Sequence, residues 1–571
     1  MEYQSPFHTE LLSYLLFDVE RHMQESGLPH EKEWTRYRDT LQTAIQTNSD
    51  LSFTEIINNY QQLVLKKNTL LEKNFLELSS THNWKILRGL PRVYHRDHPL
   101  QSEIKKEFSH LGSLKKLGLE KTSLPLYQNI EIPKGARICL FTYMLSDGWG
   151  DFIAMQEAYK ILTTRFPQAI IQSILCISKH QIDSLPQHVD KNLITVPYER
   201  DCRPTSFPES ALKAFRSSSL IISLPTLYPH IDKLQKFFVS AHQNPPKLLS
   251  IGQYGFLESE HFHPKSGNYA MGLHFLEKGI FIRDTVPKGN LQTLENSALL
   301  HSLFGVKEPQ EQHINQYLAS HHLYLAYLTS PIGGAIYLHA LLQWQKQNTQ
   351  TIDICTPSLS WFIEYVNIQA QQNKPLLEGD FGIQTLEIHF QGHIHTRTLA
   401  SSGKTLRILC PGTLSNADFR NLMSSSQEFV AIRGDQSFSE AVSAGKLFFY
   451  DGAPHARYFI KDLLALAENR LSSQKSTLNL FRSMGKAFLY NLPENEAEWV
   501  EETYFQEKEP WAQIAATIAF SLKDPQTTQG CKLLCQIIRN EYSFNKTLCH
   551  LVQREFTDLL STKKESPHIV V

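Results

Sequence analysis

The chain has 571 residues, with 56 Lys and Arg against 57 Asp and Glu, a formal net charge of -1; no global field draws it to nucleic acid or anionic lipid. Hydrophobic residues at 41% and charged residues at 20% exclude a disordered chain, and the length implies three or four structural units. The eight cysteines are scattered, several in apolar runs, which reads as reduced core thiols and not a disulfide framework.

Residues 1 to 130 are expected to be helical. FHTELLSYLLFDVERHM, EKEWTRYRDTLQTAIQ and FTEIINNYQQLVLKKNTLLEKNFLEL space their apolar residues at three and four. Acidic residues interrupt the first run and no basic stretch precedes it, so neither a signal peptide nor a membrane span is expected, and a cytoplasmic location is the default. The helical ends would also suit a bacterial effector exported into a host cell. The pattern changes at Arg137: RICLFTY is a short apolar strand, followed by a Gly/Asp loop and the helix FIAMQEAYKILTTRF. Further strands are expected at IIQSILCIS, NLITVPY, LIISLP and KLLSIGQYGF. A second series begins with HLYLAYLTSP and the helix IGGAIYLHALLQWQKQ. It continues with the strands TIDICTPS, LRILCPG, EFVAIRG and KLFFYDG. Short, continuously apolar strands are what a parallel sheet covered on both faces requires.

The fold class is therefore α/β, two tandem Rossmann-like domains facing a cleft, with helical extensions at both ends. The expected division is 1–130 helical, 131–310 first α/β domain, 311–470 second α/β domain and 471–571 helical. QTLEIHFQGHIHTRT alternates like a hairpin and carries His389, His393 and His395, more in keeping with solvent-facing histidines than with a metal site. Cys531 and Cys535, at i and i+4 of an apolar helix, are expected in a core.

Two segments can carry chemistry. Asp147-Gly148-Trp149-Gly150-Asp151 follows the first strand, where ligands bind in open α/β sheets. A carboxylate there can take a proton from an acceptor; equally, Asp151 can cap the next helix and Asp147 can stabilise the turn. In Arg433-Gly434-Asp435-Gln436-Ser437 a strand runs straight into a helix whose end is marked by Gly445. The free N–H groups there suit a diphosphate, with Arg433 and Ser437 as contacts; the bland reading is a cap and an ion pair. No GxGxxG, Walker GxxxxGK[ST] or GxSxG pattern follows a strand, which removes support from dinucleotide, P-loop and α/β-hydrolase readings.

These two segments resemble glycosyltransferases of the B fold, and most closely the protein-arginine rhamnosyltransferases that modify elongation factor P. That family carries D-N-[FY]-G-D after its first strand, here Asp147 to Asp151. It also carries RGEDSxxRAxxAGxPFxW, here Arg433-GDQSFSEAVSAGKLFFY, preceded by Leu409-Cys410-Pro411 and by Asp418, Phe419 and Leu422. The resemblance implies Asp151 as general base with Asp147 beside it, and Asp435 in place of a catalytic glutamate. It implies Arg433, Gly434, Gln436, Ser437 and Pro411 on the nucleotide-sugar side. The activity implied is an inverting, metal-independent transfer from a nucleotide-diphosphate sugar, without a cofactor, to an acceptor for which a protein side chain is favoured. Two alternatives stand beside it: a non-catalytic scaffold that keeps the fold, favoured by the Glu-to-Asp and Asp-to-Gln departures, and a sugar-nucleotide epimerase.

Overall fold

In the computed structural model, residues 31–47, 132–144, 150–185, 192–198, 207–226, 246–254, 268–273, 277–283, 289–372, 377, 381–390, 392–492 and 509–564 are described. Helix α1 (Glu31–Thr47) matches the expected EKEWTRYRDTLQTAIQ helix and lies in a compact unit made of residues 1–130 and 262–268. The other two N-terminal runs expected to be helical lie outside the described residues.

Both α/β halves lie in the second compact unit. The first half runs β1 (Arg137–Met144), α2 (Gly150–Arg165), β2 (Ile170–Ser178), β3 (Leu193–Tyr198), α3 (Glu209–Ser217), β4 (Leu220–Thr226), β5 (Lys247–Gly252) and β6 (Asn268–Ala270). Its sheet has the order β3-β2-β1-β4-β5-β6, with β1 to β5 parallel. The unbroken apolar spelling of β1 has a direct cause: both faces are covered. Ile138, Leu140 and Met144 join the main core on one face. Cys139, Phe141 and Tyr143 pack on the other with Phe207, Ala211 and Phe215 on and before α3. There Phe141, Phe207 and Phe215 meet edge to face with centroids 5.3 to 5.9 Å apart. Strand β5 ends at Gly252, so Gln253 and Tyr254 of KLLSIGQYGF lie beyond the strand, and Gly255 and Phe256 lie outside the described residues.

The second half begins with α4 (Ser297–Phe304) and α5 (Glu311–Ser320), then β7 (His321–Leu325), α6 (Pro331–Trp344), β8 (Thr351–Cys355) and α7 (Ser360–Gln371). The hairpin β9 (Ile383–Phe390) and β10 (His393–Thr398) precedes β11 (Lys404–Cys410), α8 (Asn416–Ser425), β12 (Phe429–Ile432), α9 (Asp435–Ala444), β13 (Leu447–Tyr450) and α10 (Arg457–Arg470). The five-stranded sheet has the order β10-β9-β11-β8-β7, and β12 pairs with β13. An Ala326–Ala431 bridge and the Tyr327 N–H bonded to Ala431 O at 2.9 Å join β12 to the β7 side. Along the parallel part the order is therefore β9-β11-β8-β7-β12-β13, in chain order third, fourth, second, first, fifth, sixth, with the antiparallel hairpin strand β10 at the outer edge. Each half has the doubly wound order, with a switch point beside its first strand.

Local chemistry explains the ends of α6 and α9. Ser330 caps α6 by accepting from Gly333 N at 3.0 Å, Pro331 opens the helix, and Gly333 to Leu342 are buried all round. Lys404 Nζ takes the carbonyls of Gln345 and Asn348 at 2.5 and 2.8 Å and so stops α6 earlier than its apolar spacing predicts. Gly445 ends α9 in the left-handed region, φ +65°, as its place in the sequence implied.

Helices α11 (Lys475–Phe488), α12 (Trp511–Leu522), α13 (Pro525–Glu541) and α14 (Phe544–Lys564) follow. They are not appendages. Helix α12 packs on α6 and α11, α13 on α9, and α14 on α2 of the first half. Cys531 and Cys535 are buried, their thiols 3.5 and 3.7 Å from Lys446 O, the core role expected of them. Among the described residues no helix is long and apolar enough to cross a membrane.

Candidate active site

The two switch points face the same place, and a carboxylate stands at each side of it. Asp151 lies in the first turn of α2, which begins at Gly150, so Asp151 is not the cap that the alternative reading assigned it. Gln253 Nε2, just past β5, donates to Asp151 Oδ1 at 3.2 Å. Asp435 is the first residue of α9, and the backbone N–H of Tyr254 donates to its Oδ2 at 3.1 Å. Burial pushes the Asp151 carboxyl up to about 6, with the Gln253 hydrogen bond opposing. Burial also pushes Asp435 up to about 7, opposed by the Tyr254 N–H and reinforced by the charge of Asp151. Carboxyl groups that titrate near neutrality can exchange protons at working pH.

Tyr254 is fixed in turn. Its hydroxyl lies 2.6 Å from Ser439 Oγ and accepts from Phe281 N at 3.1 Å, while its ring stands 5.3 Å from that of Phe459. Farther along α9, Glu440 accepts from Arg420 Nε at 3.0 Å and pairs with Arg283 Nε at 2.7 Å. Glu157 of α2 accepts from the same two guanidinium groups at 2.8 and 3.1 Å. Burial raises the Glu440 carboxyl, with Arg420 opposing. This four-residue ring joins α2 of the first half to α8 and α9 of the second.

The expected nucleotide side is more occupied than its sequence implied. Arg433 Nη1 donates to Asp451 Oδ2 at 3.1 Å, and Asp451 is fully buried. The same Asp451 oxygen accepts the N–H groups of Thr329 and Ser330, both at 3.0 Å, and Oδ1 accepts from Asn491 Nδ2 at 2.8 Å. Ser437 Oγ accepts from Arg433 N at 3.0 Å and donates to Arg433 O at 2.5 Å, tying the strand end to the helix. Gln436 Nε2 donates to Glu440 at 2.8 Å. Gly434 has φ +79° and ψ 170°, a backbone that only glycine adopts without strain, although the space around it is open.

Pro411 follows β11 and lies on the same sheet edge, but β8 and β7 stand between it and β12. Asp147 lies outside the described residues. Thus the structure brings together Asp151 with Asp435, and Arg433, Gly434, Gln436 and Ser437 around the start of α9. Residues that the sequence did not single out are Gln253, Tyr254 and Asp451. A polar pair directly after the glycine that ends a parallel strand is the signal that would have found the first two.

The hairpin histidines diverge. His389 is buried and 3.2 Å from Glu387, whereas His393 and His395 are exposed on β10. Among the described residues no three His, Cys, Asp or Glu side chains are grouped to hold a metal ion.

No family model and no curated protein matches the chain. Similar solved structures include a glycosyltransferase from Rickettsia africae, with TM-score 0.37 and 11% identity over 75% of this chain and 99% of that one. Anabaena HepE in complex with UDP and glucose gives 0.36 and 13% over 74% and 99%. The α,α-trehalose 6-phosphate synthase of Burkholderia multivorans gives 0.33 and 9% over 76% and 100%. At these scores the class of the protein, a doubly wound α/β protein with two parallel sheets, rests on its own strand order.

Proposed function

We propose that the chain is a glycosyltransferase that moves a sugar from a nucleotide-diphosphate donor to an acceptor, inverting the anomeric centre without a metal ion. One observation carries this reading: Asp151 and Asp435, from the switch-point ends of two doubly wound halves, are held by the consecutive residues Gln253 and Tyr254, and burial raises both carboxyl groups toward neutrality. Motif likeness to the protein-arginine rhamnosyltransferases supports a protein side chain as acceptor. The departures at Asp435 and Gln436 leave the donor base and sugar open.

In the proposed step, an acceptor lone pair forms the bond to the anomeric carbon as that carbon's bond to the diphosphate oxygen breaks. The bonding electrons leave with the diphosphate, and the acceptor proton goes to the Asp151 carboxylate. The N-terminus of α9, with its free N–H groups and positive dipole end, stabilises the departing charge. Asp435 orients the sugar. Arg433 reaches the diphosphate by giving up part of its contact with Asp451.

A thermal-shift screen against UDP, GDP, TDP and ADP sugars and CMP sugars tests this. A ligand at about one hundred times its dissociation constant adds about 2.7 kcal/mol to stability. One nucleotide is expected to stabilise the wild type and Asp151→Ala, but not Arg433→Ala. Silence from every nucleotide at millimolar concentration would sink the reading. A second reading, a scaffold that keeps the fold without turnover, is favoured by the internal pairing of Arg433 with Asp451 and of Ser437 with the Arg433 backbone. Nucleotide binding without transfer to any acceptor or to water would select it.

A further inference from the structure

The end of β5 places two consecutive residues against two carboxylates from different halves of the molecule. The Gln253 side chain donates to Asp151, and the backbone N–H of the next residue, Tyr254, donates to Asp435. The Tyr254 backbone is not free to drift, because its hydroxyl is held between Ser439 Oγ of α9 and Phe281 N. We propose that Gln253-Tyr254 is a positioning clamp: two consecutive residues hold Asp151 and Asp435 at one site and set the proton affinity of each through one donor apiece. Its service to proton abstraction rests on the reading above; the clamp itself is a property of the ligand-free chain.

One donor reaches each of two like charges. Two nearby carboxyl groups do not both ionise readily, so the one better supplied with hydrogen-bond donors and charge partners ionises first. Asp151 and Asp435 receive one donor each, a side-chain amide and a backbone N–H, so each donor opposes the upward push of burial on its own carboxyl, and loss of either donor shifts the proton toward the carboxyl that lost it. The other titratable or charged groups acting on the pair are the hydroxyls of Tyr254 and Tyr450, with Arg433, Glu440 and Asp451 acting on those hydroxyls. Tyr254 and Tyr450 are both pushed upward by burial and stay neutral, so the clamp acts by donation and not by charge.

The test is a pair of double-mutant cycles on the ligand-free full chain, read by urea unfolding from about pH 5 to about pH 8. Gln253→Leu removes only the donor to Asp151. A carboxyl that loses a donor to its charged form titrates higher. The stability lost as pH rises is therefore expected to extend toward higher pH in Gln253→Leu, and this pH-dependent part is expected to vanish when Asp151→Asn is added. Tyr254→Phe keeps the ring against Phe459 and removes both bonds that hold the backbone; its pH-dependent part is expected to vanish with Asp435→Asn. A change that is the same at every pH, or that survives in the Asn backgrounds, overturns the clamp. Failure of the glycosyl-transfer reading is seen separately: the nucleotide screen would be silent while the cycles still close as expected.

Discussion

Both halves have a switch point beside their first strand, and they use it in opposite ways. In the second half the switch point is filled: Asp451 is fully buried and accepts from Thr329 N, Ser330 N, Asn491 and Arg433. The start of α6 is fitted to it so closely that a Cβ on Gly333 would come within 2.5 Å of Asp451 Oδ1. In the first half the carboxylate at the start of α2, Asp151, has one donor among the described residues, Gln253, and a carboxyl raised by burial. The same kind of switch point thus builds a locked end and a poised end. What separates them is the supply of donors to one carboxylate.

The largest effect should come from opening the locked end. Asp451→Ala leaves Arg433, Asn491 and the N–H groups of Thr329 and Ser330 without their buried acceptor and is expected to cost about 3–5 kcal/mol, measured by urea unfolding. A loss under about 1 kcal/mol would mean that the locked end is not locked. At the poised end, Asp151→Asn should lower turnover about 10²–10⁴-fold once the donor is named, with donor affinity nearly unchanged. Equal losses in binding and turnover would assign Asp151 to the donor instead.

Smaller and opposite in sign is the effect of Asp435→Asn on stability. A carboxyl raised from its ordinary value to about 7 binds its proton more tightly in the folded chain than in the unfolded one. Its contribution is therefore fully present below about pH 4 and is lost as pH rises through about 7. Asp435→Asn, which keeps an acceptor for Tyr254 N, should be more stable than wild type by about 1–2 kcal/mol at pH 8, the difference fading toward pH 4. A difference that does not depend on pH would count against a poised carboxyl. Smallest is Glu157→Gln, which weakens one corner of the ring while Glu440 keeps both arginines. Unfolding at low salt should show a loss of about 1 kcal/mol, reduced at high salt because the ring is partly exposed.

Strands β1, β2, β4 and β12 were legible because they are largely buried on both faces and so spell near-continuous apolar runs. The hairpin of β9 and β10 was legible from its alternating spelling, although its burial does not alternate: Ile383, Leu386 and His389 are buried on β9, and β10 is exposed throughout. Asp151 and Asp435 were found from their places after strands. Their tie to one another was not, because it depends on Gln253 and Tyr254, just past β5, supplying both donors, with Tyr254 standing 181 residues from Asp435 in the chain; no local pattern encodes a contact of that separation. Asp451 was hidden by its spelling. FFYDG reads as a strand and a turn, and only the fold shows that the aspartate is buried against the start of α6. The C-terminal helices were recognised as helices, yet their apolar faces do not say which half they cover.

Helix α14 covers the far one, and this sets an order of events in synthesis. Phe544 N bonds to Ile280 O, Asn545 accepts from Ile282 N at 3.1 Å, and Glu555 pairs with Lys247 at 3.0 Å, across 308 residues of chain. The first sheet can form as soon as it leaves the ribosome, but the flank of α2 stays uncovered until those last helices arrive. At about 10 residues per second that interval is about half a minute. A nascent chain halted before α14 should therefore carry an accessible apolar stripe on α2, and a chaperone that binds such stripes should leave it when α14 docks.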